Sequence, residues 1–214
     1  MISTDENIST NSVTLKPNQL EHFNNIIEII HNKGFKSYLD CSDTGTGKTY
    51  VTCIVAKELN MDLAVFAPKN THEKWKYVSS LVLENTNCNL QLCITESALR
   101  GTGKKITQHN LLTFDPETKQ FHPTEILSQV QNVLFVFDKA DRLRNPESLT
   151  SKAISTIARN IPESCRIALL SAITLDKNSK RKVYYLVLEL FNTIKFSNMI
   201  IQIMNTFNLE VKIL

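Results

Sequence analysis

Several absences narrow what this 214-residue chain can be. No apolar run approaches the roughly 20 residues that a membrane-crossing helix needs, so no membrane partner is expected. Residues 1–12 have neither a basic leader nor an apolar centre, which excludes a secretory signal there. Their Asn-, Ser- and Thr-rich composition predicts a disordered polar tail over residues 1–13. Charge of one sign is scarce: 24 basic against 21 acidic side chains leave +3, too little to argue for a polyanion partner from composition alone. The five cysteines, Cys41, Cys53, Cys88, Cys93 and Cys165, contain no C-x-x-C pair. Their odd number and their place in predicted strands and helices point to buried free thiols in an intracellular, reducing compartment. None of the five histidines has metal-ligand spacing, and a surface position is expected for each. There are no internal repeats. With 42% apolar residues, the length suits a single α/β domain with tails.

The strongest positive signal is Ser42-Asp43-Thr44-Gly45-Thr46-Gly47-Lys48-Thr49. Glycines let a chain curl until successive backbone N–H groups face an anion, and the helix that follows adds its positive end. In such a loop Lys48 reaches the β- and γ-phosphates and the Thr49 hydroxyl ligates Mg²⁺. Tyr38 to Cys41 reads as the strand before it, and Val51, Ile54, Val55 and Leu59 recur at helical spacing after it.

Further elements alternate along the chain. Leu20, Phe23, Ile26, Ile27 and Ile30 share a helical face that Gly34 would end. Leu63–Ala67, Leu90–Ile94, Val133–Phe137 and Arg166–Leu170 read as strands. Helices are expected over 73–83, from the Asn145-Pro146-Glu147 start with Ile154, Ile157 and Ala158 buried, and around Val183 to Leu190. Residues 101–124 show no period and read as an inserted loop with room for a small hairpin. The alternation predicts an α/β fold, a mostly parallel sheet with helices on both faces and ligands at the strands' carboxyl ends.

From Leu15 to Phe191 the motifs resemble the first RecA-like lobe of superfamily 2 helicases, a P-loop NTPase domain over residues 14–191. Leu15-Lys16-Pro17-Asn18-Gln19 looks like the leading motif, whose glutamine reads adenine. Residues 42–49 match motif I, and Ala67-Pro68-Lys69 with the trailing Trp75 looks like motif Ia of Swi/Snf-type translocases. Thr95 to Leu99 is similar to the next nucleic-acid-facing segment; Asp138 to Asp141 occupies motif II, and Ser171-Ala172-Ile173-Thr174 motif III. The steps at 99–101, 111–113 and 144–146 look like helicases of nucleocytoplasmic large DNA viruses. The resemblance implies ATP and Mg²⁺ as cofactors, with Gln19, Ser42, Asp43, Thr44, Gly45, Thr46, Gly47, Lys48 and Thr49 on the nucleotide. Thr49 and Asp138 would face the metal. Asp141, Ser171 and Ala172 would couple the motifs. Pro68, Lys69 and Thr95 would face a DNA or RNA backbone. For Trp75, packing in the core or between lobes is expected. A viral protein of this kind would reside in host cytoplasm or in the virion.

Two motifs depart from the pattern. Lys139 stands where motif II carries glutamate, and Ile173 removes a hydroxyl from motif III. An ammonium has donors only and cannot orient or deprotonate a water. Either Lys139 favours a bound triphosphate over its turnover, or it marks a degenerate copy. Residues 192–214 are expected to form a tail or a shortened linker, so that a second RecA-like lobe would come from another chain. The expectation is a hydrolysis-poor ATP-binding lobe of a helicase or translocase, with a regulatory or scaffolding module as the alternative.

Overall fold

The computed structural model describes residues 13–95, 111–144 and 147–171. Five strands form one parallel sheet: β1 (Ser37–Asp40), β2 (Asp62–Ala67), β3 (Leu90–Thr95), β6 (Val133–Asp138) and β7 (Arg166–Leu170). Their spatial order is β1-β7-β6-β2-β3. β4 (Leu112–Asp115) and β5 (Gln120–Pro123) make a separate antiparallel hairpin. The helices are α1 (Pro17–Ile27), continued by a π-turn over Glu28–Asn32, α2 (Lys48–Glu58), α3 (His72–Val82), α4 (Glu125–Gln129) and α5 (Leu149–Asn160).

Strand alternation divides the core in two. Leu63, Val65, Leu134, Val136, Ala168 and Leu170 face α1, α2 and α3, where they meet Ile26, Val55, Trp75 and Val78. Phe66, Phe135, Phe137, Ile167 and Leu169 face the other way, onto Ile154 and Ile157 of α5, Leu127 of α4 and Phe121 of the hairpin. Phe66 and Phe137 stack across neighbouring strands at 4.9 Å. Because both faces are covered, the central strands are continuous apolar runs, as their sequence suggested.

Three expectations change. The inserted segment before β6 does hold a small hairpin where it is described, but it is more than a loop: Leu111, Leu112 and Phe121 are buried against one face of the sheet. The fifth helix starts at Leu149 rather than at 145–147. Ser148 is its cap and accepts from Ser151 N, a serine signal that the Asn-Pro pair upstream overshadowed. Leu20 stands 49% exposed, while Ile26 and Ile30 carry the buried face of the first helix. The expected helix over 183–190 lies outside the described residues, as do the C-terminal tail and residues 1–12, while Val13 packs against the core.

Candidate functional site

All five parallel strands end at one edge, with Asp40, Ala67, Thr95, Asp138 and Leu170 as their last residues. The phosphate loop follows Asp40. Gly45 (φ +80°) and Gly47 (φ +95°) adopt left-handed backbone, and Gly47 caps α2. This conformation, cheap only for glycine, curls the loop around the N-terminus of α2, the kind of backbone that can cradle an anion. Lys48 Nζ donates to the carbonyl oxygens of Ser42 and, at 2.7 Å, Asp43. The Ser42 and Thr46 hydroxyls meet at 2.9 Å, and Thr46 Oγ1 donates to Asp43 O. Thr49 is buried at the first turn of α2.

Gln19 reaches the loop from α1. Its Nε2 donates to Thr46 O at 2.9 Å, while its Oε1 accepts from Lys16 N at 3.0 Å. Both ends of the amide are therefore engaged, and the leading motif is joined to motif I by a direct bond.

The base of the loop rests on a buried aspartate, Asp40, with His22 against it, a contact that sequence reasoning missed. Asp40 is 1% exposed. Its Oδ1 accepts from Ser42 N at 2.9 Å and Ser42 Oγ at 2.7 Å. Its Oδ2 lies 2.9 Å from His22 Nε2. Burial pushes the Asp40 carboxyl up, but His22 and the Ser42 bonds outweigh it and hold it below its usual range. The available signals were an acid closing an apolar strand and a histidine three residues after Gln19 on one helix. His22 is thus no plain surface residue, nor is His72, whose Nε2 meets Ala67 O at 3.0 Å.

Opposite the loop, β6 delivers Asp138. Trp75, fully buried on α3, donates its indole N–H to Asp138 Oδ2 at 3.1 Å. The expected core position of Trp75 holds; its polar role was not foreseen. Lys139 follows at φ +64°, a left-handed conformation uncommon outside glycine. Burial lowers the Lys48 ammonium pKa; Asp40 and Asp138 raise it, and Lys139 lowers it further. Lys48 therefore senses Asp138 and Lys139 across the same space. Burial, with the Asp40 charge behind it, pushes the Cys41 thiol up to about 11, which leaves it a poor nucleophile beside the loop.

These groups line one cavity of about 520 Å³. Lys16, Gln19, Thr44, Gly45, Gly47, Lys48, Thr49, Asp138 and Lys139 all reach it, joined by Thr71, Lys74 and Trp75. Ser42 and Asp43 act from the loop behind, through their carbonyl oxygens. Asp141 is half-buried in the 3-10 turn Ala140–Arg144. The Ser171 hydroxyl is buried with no partner among the described residues, and Ala172 lies outside them. At the same sheet edge Pro68 is buried, Lys69 is exposed and Thr95 ends β3. Arg100, Lys104 and Lys105, a basic cluster that reads from the sequence either as nucleic-acid contacts or as solvated loop charges, lie outside the described residues. Among the described residues no group of three or more His, Cys, Asp or Glu side chains could hold a metal ion. No helix among them is long and apolar enough to cross a membrane.

No protein-family model matches the chain. Over 181 residues it is 24% identical to the "Putative ATP-dependent RNA helicase L364" of Acanthamoeba polyphaga mimivirus, covering 82% of this chain and 33% of that protein. The chain thus spans about a third of the length of that relative. In fold it is similar to the Sulfolobus solfataricus SWI2/SNF2 ATPase core solved in complex with dsDNA. That likeness has a TM-score of 0.53 at 19% identity and covers 82% of this chain and 36% of the other. The chain has the RecA-like fold of helicase-type ATPase cores, and over most of its length it is similar in sequence to a viral protein named as a helicase.

Proposed function

We propose that this chain is the ATP-binding lobe of a DNA or RNA helicase or translocase of viral type, and that it holds nucleoside triphosphate while hydrolysing it poorly. The observation that carries the binding half is the cavity between the glycine-curled loop and Asp138, with Gln19 fastened to the loop. The viral relative and its name support the assignment. Gln19 lines the cavity and keeps one amide N–H and one carbonyl lone pair for an adenine, the loop amides suit the phosphates, and Thr49 and Asp138 are the pair that faces Mg²⁺ in the family pattern.

Lys139 carries the other half. The position calls for a carboxylate that orients the attacking water, and a well-placed base is worth roughly 100- to 10,000-fold in rate. An ammonium supplies no acceptor. A second RecA-like lobe closing over the cavity would add an arginine finger, worth about 10³–10⁵ more. Lys69, exposed at the sheet edge, is offered to nucleic-acid phosphates, which lysine binds without reading sequence, and Pro68 and Thr95 are assigned to the same face by the family pattern. Asp141, Ser171 and Ala172 are assigned the coupling of motifs II and III.

A regulatory or scaffolding module that holds ATP is favoured over a working motor by the same lysine. The test is ATP hydrolysis, with and without DNA or RNA, by the chain and by Lys139→Glu. A silent chain whose Lys139→Glu variant turns over ATP supports the reading. Nucleic-acid-stimulated turnover by the unaltered chain overturns it.

A further inference from the structure

Resting on that triphosphate reading, we propose that the site binds its nucleotide without a divalent metal ion, the Lys139 ammonium supplying the positive charge at the outer phosphates. The donor set is a thin one for Mg²⁺, the Thr49 hydroxyl and a single carboxylate. Mg²⁺ sheds water reluctantly and is bound through one or two carboxylates together with the phosphates. Among the described residues Asp138 is the only acid lining the cavity, and its Oδ2 is already bound by the Trp75 indole N–H. The residue next to it is a lysine, so a fixed positive charge stands beside the place a dication would take.

The same residues suit a bare triphosphate. Four lysines, Lys16, Lys48, Lys74 and Lys139, line the cavity against that single carboxylate. Lys48, Asp138 and Lys139 all line the cavity, which places the three charges around one space. The Lys139 side chain makes no hydrogen bond or ion pair among the described residues, so its donors are not spent elsewhere in them. Its left-handed backbone, at the turn from β6 into the 3-10 segment, is a strained setting of the sort that persists where surroundings enforce it. An ammonium is a compact point charge that binds phosphate well and brings no coordination geometry to satisfy.

The test is equilibrium binding of fluorescently labelled ATP to the chain, measured by anisotropy in millimolar Mg²⁺ and in excess EDTA. The expected result is an affinity in EDTA equal to or tighter than that in Mg²⁺. Lys139→Glu should lose about tenfold or more in EDTA, through charge repulsion, and recover in Mg²⁺. Lys139→Asn, whose side chain tolerates the left-handed backbone, should fold as the parent does and lose affinity in EDTA by a smaller factor. Binding that requires Mg²⁺ overturns the metal-free inference and leaves the triphosphate reading standing. Metal-free binding that both variants retain overturns the role of Lys139. No binding in either buffer overturns the triphosphate reading as well.

Discussion

Gln19 occupies the space that a side chain on Gly47 would fill: a Cβ built there lies 2.0 Å from Gln19 Nε2. The glutamine's bond to Thr46 O and the glycine's left-handed turn are therefore two halves of one arrangement. Gly47→Ala should cost roughly 1–3 kcal/mol, from the strained φ and the displaced amide together. A thermal-melt cycle of Gly47→Ala, Gln19→Ala and the double variant checks this. Truncating Gln19 should relieve the steric share only, so the two losses should not add.

Trp75 is the sole tryptophan of the chain, and it is fully buried against Asp138. Trp75→Phe removes the indole N–H and some volume, and leaves a half-buried carboxylate short of a donor. A loss of about 2–4 kcal/mol is expected, read from urea unfolding by far-UV circular dichroism. Asp138→Asn should cost less, because the amide oxygen still accepts the indole N–H. Emission from Trp75 should shift when triphosphate enters the cavity it lines. Unchanged emission at saturating nucleotide would place the ligand elsewhere.

The His22–Asp40 pair sets a direction for acid stability. Asp40 has its folded-state pKa depressed below its ordinary value. A depressed acid contributes stability that is present above its unfolded pKa and lost as pH falls through the folded one. The loss should therefore develop below about pH 4. In His22→Ala, burial of Asp40 is no longer offset by the imidazole, the carboxyl moves up, and the acid-unfolding midpoint should move to higher pH. A loss of about 1–3 kcal/mol at neutral pH should accompany it. His22→Gln, which keeps a donor, should recover part of both. A midpoint that does not move would mean that Asp40 draws its support from Ser42 alone.

Much of this was legible from residue patterns. The apolar runs at 63–67, 133–137 and 166–170 became central strands because a sheet covered on both faces needs no alternation. The loop at 42–49 was readable because a glycine requirement is local. Contacts between distant segments were not. The Trp75–Asp138 bond spans 63 positions and depends on how α3 sits on the sheet. The burial of Phe121 depends on the sheet face that the hairpin covers, and no period in four-residue strands announces it. Lys139 was visible as a departure, but its left-handed backbone and its place among three other lysines emerge only from the fold.

Lys48 separates binding from stability most cleanly. Its ammonium donates to Ser42 O and Asp43 O, so part of its bonding is spent on the loop that would hold the phosphates. Those carbonyls lie in a half-buried to exposed loop, where water can replace a lost donor. Lys48→Ala should therefore change stability by no more than about 1 kcal/mol. A charge-assisted bond to phosphate is stronger, and its loss should weaken triphosphate binding by about 10- to 100-fold. Parallel thermal melts and labelled-ATP titrations of the parent and Lys48→Ala check both numbers. A large fall in melting temperature with unchanged affinity would make Lys48 a brace of the loop rather than a ligand of the phosphates. The anion would then have to be held by the amides of residues 44–49 and by Lys139.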